Sequence, residues 1–390
     1  MNARRPPARA LGVLAEAGMF VFGIVMALVG AVVPTLTARL ALTLSDVGTL
    51  FLVMNFAMLV ASLVLGLVVD RIGLKLPLAA GVWLVAAGLA MIATAGGTAP
   101  LLIAVACLGL GGGALNGGTN TLVADLHDDE RTKGAALNRL GVFFGFGALL
   151  LPFLIGTLTD TFGVPALLQA ASVLCVVTGV AGVVLAFPRP KQVHGWPLAS
   201  VGRFARLPVV RALALLLFFQ SGNEFLLGGY ISSFLTQELG VSVDLASYWL
   251  AAFWASIMVM RLALGRLLLR LPAASVVPAS AVAAAGGALL IAAAPSLTVA
   301  AAGVVITGLA LAGIFPTVLG LAGGRFRDQS GTVFGLLFTV ALAGGMTVPW
   351  IAGQLAHVAG IRWAFVLAAA GFTLVALLGA IARRELQTTG

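Results

Sequence analysis

Apolar residues run along this chain in blocks of about twenty, the length a helix needs to cross a bilayer, and short polar breaks separate the blocks. Taken in order, the blocks predict spans at 11–36, 46–69, 77–95, 99–124, 135–158 and 164–187. A polar linker follows at 188–208, then spans at 209–236, 244–268, 273–294, 297–320, 331–355 and 362–382. The pattern is an all-α membrane protein of twelve helices. It divides into an N-terminal six-helix bundle (1–187), a cytoplasmic linker (188–208) and a C-terminal six-helix bundle (209–390).

The two halves repeat. The stretch Gly109–Gly163 is apolar, then charged, then apolar again, and Gly308–Gly360 has the same layout. Pro152, Gly156 and Gly163 precede Pro349, Gly353 and Gly360 by 197 residues, and Gly147 precedes Gly344 by the same step. Gly109–Leu110 matches Gly308–Leu309 at a step of 199. Internal duplication in a hydrophobic chain is a signature of transporters. The copies part where a solute would touch them: Asn116 and Asn120 in the first stand where the second has Phe315 and Leu319. Polar recognition is therefore expected from spans 4 and 7, with span 10 as an apolar wall.

Composition agrees with this pattern. Charged residues make up 9% of the chain, against about 25% in a soluble domain, while 61% of residues are hydrophobic and mean hydropathy is +1.13. Cys107 and Cys175 sit inside apolar runs and read as packing residues, and His127, His194 and His357 lie in separate loops without metal-ligand spacing. No cofactor or metal is expected. The net charge of +9 comes from basic loops, not from a nucleic-acid surface. With the N-terminus inside, all but Arg39 and Arg362 of the 22 Lys and Arg face the cytoplasm, as the positive-inside rule requires. That predicts a multi-pass protein of the cell (inner) membrane with both termini cytoplasmic. The apolar run after Arg9 is too long for a signal peptide.

The end of span 2 reads GLVVDRIGLK, and Gly66, Asp70, Arg71, Gly73 and Lys75 resemble the loop 2–3 signature of the major facilitator superfamily. Gly265, Arg266 and Arg270 resemble a degraded second copy. A finer resemblance lies in GLGGGALNGGTNTL on span 4, ALNRLGVFFGFGALLLPFLIG on span 5, GNEFLLGGYISSFL on span 7 and GIFPTVLGLAG on span 10. These look like the fucose:proton symporter branch. The resemblance implies two six-helix bundles around a central cavity lined by spans 1, 4, 7 and 10. It also implies secondary transport by alternating access, commonly of sugars with a proton. The chain departs from that branch at Asn116, where relatives carry a carboxylate, and at Phe144, where a polar residue is expected. A neutral amide carries no proton, so coupling through span 4 is in doubt and L-fucose is not assumed.

An ionisable group inside a bilayer is costly and is a functional candidate by default. Glu224, mid-span 7 beside Gln220, Ser221 and Asn223, is the preferred proton-linked site; the plainer reading is a structural carboxyl. Glu16, nearer the start of span 1, suits gating, solvation or substrate contact alike. Asn116 and Asn120, four residues apart, share one helix face and either bind solute hydroxyls or join helices. With Gln220 and Asn223 they are the preferred substrate contacts. Asn55, Gln169 and Thr317 are further polar cavity candidates. Trp254 and Phe144 supply aromatic faces for a sugar ring, or packing. Phe315–Pro316 breaks the span 10 ladder, as a gating bend or a static kink.

Asp70 and Arg71, with Gly66, Gly73 and Lys75, form the expected cytoplasmic gate. Asp125 is placed to reach Arg139 as an ion pair between spans 4 and 5, or as a solvated boundary pair. Arg261 sits deeper than other basic residues and needs a partner.

No enzyme signature appears: the glycine-rich stretch at span 4 lacks the Lys-Ser/Thr of a phosphate loop and lies inside a span. The expected protein is a monomeric transporter whose partners are a sugar-like solute, protons and the bilayer. A proton-driven exporter of amphipaths is the main rival, on the Gly141–Gly156 glycine–proline pattern, with an uncoupled facilitator and a transporter-derived sensor behind it.

Overall fold

The computed structural model describes residues 8–127, 129–187, 198–267, 272–326 and 329–388. They form thirteen helices: α1 (Ala8–Leu40), α2 (Leu44–Ile72), α3 (Lys75–Thr94), α4 (Thr98–Leu126), α5 (Glu130–Val184), α6 (Leu198–Ala205), α7 (Pro208–Leu239), α8 (Val243–Leu267), α9 (Ala273–Ala292), α10 (Leu297–Leu311), α11 (Ile314–Arg325), α12 (Ser330–Ala359) and α13 (Arg362–Thr388). Eleven helical stretches are long and apolar enough to cross a membrane, and one of them, Thr132–Val184, is a double length. At 55 residues α5 would run about 80 Å if straight, but Gly163 adopts φ 75°, ψ 152° and divides it into two arms. A left-handed φ favours glycine, and Gly360, its repeat partner, separates α12 from α13 at φ 97°. Counting both arms, the described residues hold the twelve spans expected.

Span 10 is broken where its proline dictates. Proline has no N–H to offer the carbonyl four residues back and its ring crowds that group; four before Pro316 is Ala312. The helix stops at Leu311 and resumes at Ile314, so the break lies three residues ahead of the Phe315–Pro316 position expected. The linker also differs from expectation: it contains α6, whose Phe204 is buried and packs edge-on against Phe326, 5.5 Å between ring centres.

Two compact units result: residues 1–32 with 53–195, and residues 33–52 with 196–390. The second therefore includes the α1–α2 turn, which the sequence boundary at 187 assigns to the first bundle. Side chains explain the assignment. Within this unit Tyr230, fully buried, donates to the carbonyls of Pro349 (3.1 Å) and Leu44 (3.4 Å), and Ser45 donates to Gln354 Oε1 at 2.9 Å. Phe51 packs on both Tyr230 and Phe225.

The repeat glycines do the same work in each unit. A Cβ on Gly147 would strike the carbonyl oxygen of Phe20, and one on Gly344 that of Phe218. Gly109 stands equally close to the Met54 carbonyl, and Gly308 packs against that of Phe253. Without hydrophobic driving force in lipid, helices associate by such close backbone approach.

Arg362 ties one end of the second unit together. Its Nε donates to Glu238 Oε2 at 2.9 Å, and its Nη1 donates to the carbonyls of Ala292 (2.8 Å) and Ala294 (3.0 Å) at the end of α9. A cation at a helix C-terminus is favourable, which accounts for an arginine on the side where few are expected. Arg362→Ala should lower the protein's stability by about 1–2 kcal/mol, read as a lower melting temperature in detergent.

Candidate functional site

In the second unit, α7 carries an unbroken buried stretch from Gln220 to Leu235. Its polar members are led by Gln220 and Asn223, both fully buried, and Glu224, 9% exposed. Gln220 and Glu224, one helical turn apart, lie on a common face, and Gln220 Nε2 donates to Glu224 Oε2 at 2.9 Å. The other carboxylate oxygen lies 4.0 Å from Nη2 of Arg261 on α8. Arg261 thus has its partner: the acid and the base of this interior face each other. Glu224 is the more buried member, while Arg261 keeps 31% of its side chain exposed, so the contact is a partly solvated charge pair.

Asn223 turns toward α13, donating to the Ala368 carbonyl at 3.1 Å, beside Gly371. Gln220 Oε1, Asn223 Oδ1 and Thr317 Oγ1 are buried acceptors without a partner among the described residues. Each such group costs about 1–3 kcal/mol until a donor reaches it. Trp254 is 2% exposed, packed edge-on against Phe253 at 5.4 Å with Gly228 against its ring. Its surroundings are those of a packing residue.

In the first unit, Arg139 of α5 forms its ion pair with Glu16 of α1, a partner the expected Asp125 link did not foresee. Glu16 is nearly buried, at 9%. Asn116 and Asn120 share a face as spacing requires: Asn120 Nδ2 donates to the Asn116 carbonyl at 2.8 Å and approaches its Oδ1 at 3.4 Å. Thr119 donates to the Leu115 carbonyl (2.8 Å), and Asn55 is fully buried in α2. Phe144 packs on Phe22, 5.4 Å between ring centres, and belongs to the α1–α5 packing. Gln169 is exposed, next to buried Leu168.

At the α2–α3 turn, Gly73 takes φ 81° and its N–H caps α2 through the Val69 carbonyl at 2.9 Å. Arg71 and Lys75 are exposed. The side chains of Gly66, Asp70, Gly265 and Arg266, and residues 268–270, lie outside the described residues. So do His194 and Asp328.

The sequence matches the Major Facilitator Superfamily over residues 17–211 and 213–389. Among curated proteins none matches. Among solved structures the fold is similar to a D-xylose-proton symporter (TM-score 0.80, 14% identity, 95% of this chain and 97% of that one). It is also similar to a nucleoside transporter (0.79, 14%, 96% and 99%) and to the E. coli fucose:proton symporter (0.67, 18%, 95% and 98%).

Proposed function

Because the chain belongs to the major facilitator superfamily and is a transporter rather than an enzyme, we propose that it works by alternating access as a proton-coupled symporter of a sugar or similar polar solute. The observation that carries the reading is the Gln220–Glu224–Arg261 cluster: an acid in the interior of α7, with a neutral donor on one oxygen and a cation near the other. Ionised, Glu224 is held by both. Protonated, it loses the attraction of Arg261, and the two helices are freed from one another at that point. A carboxyl with two such states can link proton movement to helix movement.

The spare acceptors on Gln220, Asn223 and Thr317 suit the hydroxyls of a sugar-like solute. Asn116 and Asn120 offer amide groups on α4, with Asn55 as a further polar contact. Two of the similar structures are, by their descriptions, sugar–proton symporters, which supports the same solute class. In this reading the protein is a monomer in the cell (inner) membrane with both termini in the cytoplasm, and the Asp70–Arg71 turn gates that side. The uncoupled alternative rests on neutral Asn116.

Uptake of a panel of radiolabelled sugars into proteoliposomes, with and without an inward proton gradient, tests the reading. Accumulation above the outside concentration only under the gradient is expected. Equilibration alone would make the protein a facilitator, and absence of sugar flux would favour an exporter.

A further inference from the structure

Charge is sparse inside the second unit. Among the described side chains of α7 and α8, Glu224 and Arg261 are the charged ones that lie outside the first and last helical turns; Arg211, Glu238 and Asp244 lie within those turns. α9 and α10 carry no charged residue. The other helices of this unit keep their titratable groups near their ends: Arg203 on α6, Arg325 on α11, His357 on α12, and Arg362, Arg383, Arg384 and Glu385 on α13.

The two interior charges are unequally engaged. The Glu224 side chain is 11% exposed, with Gln220 donating to one of its oxygens, whereas the Arg261 side chain is 31% exposed and stands 4.0 Å from the other oxygen. A close guanidinium–carboxylate pair approaches to about 2.8 Å through two donors, so Glu224 does not fill the fork of Arg261. Charged side chains in membrane spans face the bundle interior or a watery cavity, and the exposed part of Arg261 is accordingly open to a solute.

Ionised Glu224 and Arg261 together carry no net charge. When Glu224 takes up a proton the pair becomes positive by one, and a neutral solute leaves it so. A solute with one carboxylate restores neutrality by taking the place beside Arg261 that Glu224 gives up. Two carboxylates at one arginine repel each other, so the anion and the proton favour each other's binding, and by the same amount. The carbonyl oxygen of Gln220, fully buried and without a partner among the described residues, lies on the same cluster and accepts from a hydroxyl.

We infer that the solute is a polyhydroxylated monocarboxylate, a sugar acid and not a neutral sugar. Its carboxylate sits on Arg261, one hydroxyl on Gln220, and it crosses with one proton and therefore with no net charge. The inference rests on Glu224 as the proton-linked acid and names the solute that acid serves.

Proteoliposomes of the full-length protein under an inward proton gradient test it. They are offered labelled D-glucuronate beside D-glucose, and D-galacturonate beside D-galactose. In at least one pair the acid should be accumulated about tenfold above its neutral sugar, the worth of one hydrogen bond to a charged group. Setting the membrane potential with valinomycin and potassium, to zero or to either sign, should leave uptake of the acid unchanged. Arg261→Gln should bring the preference close to one, while Arg261→Lys, which keeps the charge, should retain most of it. An undiminished preference in Arg261→Gln, or acid uptake driven by an inside-negative potential, would overturn the assignment. Accumulation of neutral sugars at least as strong as that of the acids would overturn it too, yet leave proton-coupled sugar symport standing. Absence of gradient-driven uptake of either class would remove both.

Discussion

Gly344→Val is expected to cost the protein more than about 3 kcal/mol of stability and to leave little folded material after extraction in detergent. The cause is local and backbone-borne. A Cβ at Gly344 would overlap the carbonyl oxygen of Phe218 on α7, with Phe218 Cα at 2.8 Å behind it. Main chain cannot swing aside as a side chain can, so α12 would have to leave α7, and the pair makes one of the most extensive helix contacts of this unit. Gly147→Val should do the same to the first unit through the Phe20 carbonyl. Gly286→Val is the control. It adds the same side chain to a membrane helix where a Cβ meets nothing within 4 Å, and its melting temperature should stay close to that of the unaltered protein. Comparable losses at Gly344 and Gly286 would show that the valine itself, not the helix crossing, is responsible.

Those crossings were legible in the sequence because they repeat. The matched glycines stand at constant steps, and Gly147 and Gly344 both meet a main-chain carbonyl oxygen of another helix. Gly163 and Gly360 both take left-handed φ, and Gly109 and Gly308 both meet a carbonyl one helix away. Local chemistry was equally readable: Pro316 fixes its own break, displaced upstream by the reach of an i–4 hydrogen bond. Partnerships distant in sequence were not readable. Arg139 is bound to Glu16, and nothing in either residue's neighbourhood distinguishes that acid from Asp125. Arg261 was flagged by depth alone, and only the packing of α8 on α7 supplies Glu224 as its partner. Tyr230 carried no signal, and Arg362 stood out only as one of two basic residues expected on the outer side, since their acceptors include main-chain carbonyls of other helices. Aromatic side chains were ambiguous for a related reason: apolar surface in a membrane interior packs by default, and Phe144 and Trp254, candidates for stacking on a sugar, each have an aromatic neighbour.

Glu224→Gln should abolish gradient-driven accumulation while leaving counterflow exchange of the solute within a fewfold of normal. Glutamine keeps the volume and can still accept from Gln220, so the fold has no reason to change. What it lacks is the charge that attracts Arg261 and the proton that cancels it. Replacing one member of a facing charge pair leaves the other uncompensated, so the double variant Glu224→Gln with Arg261→Gln is the check on stability. It should melt no lower than Glu224→Gln alone and be equally uncoupled. Loss of exchange as well as accumulation would place Glu224 in solute binding instead. Glu16, already compensated by Arg139 at the surface-exposed end of its pair, should tolerate glutamine with accumulation largely preserved.

Solute-driven proton movement measures the coupling most directly. Proteoliposomes without any gradient are loaded with a pH-sensitive dye, and the transported sugar is added outside. Coupled entry of solute and proton through Glu224 acidifies the lumen of vesicles holding the unaltered protein and not of those holding Glu224→Gln. Sugar entry with no pH change in either, or the same acidification in both, would contradict the account.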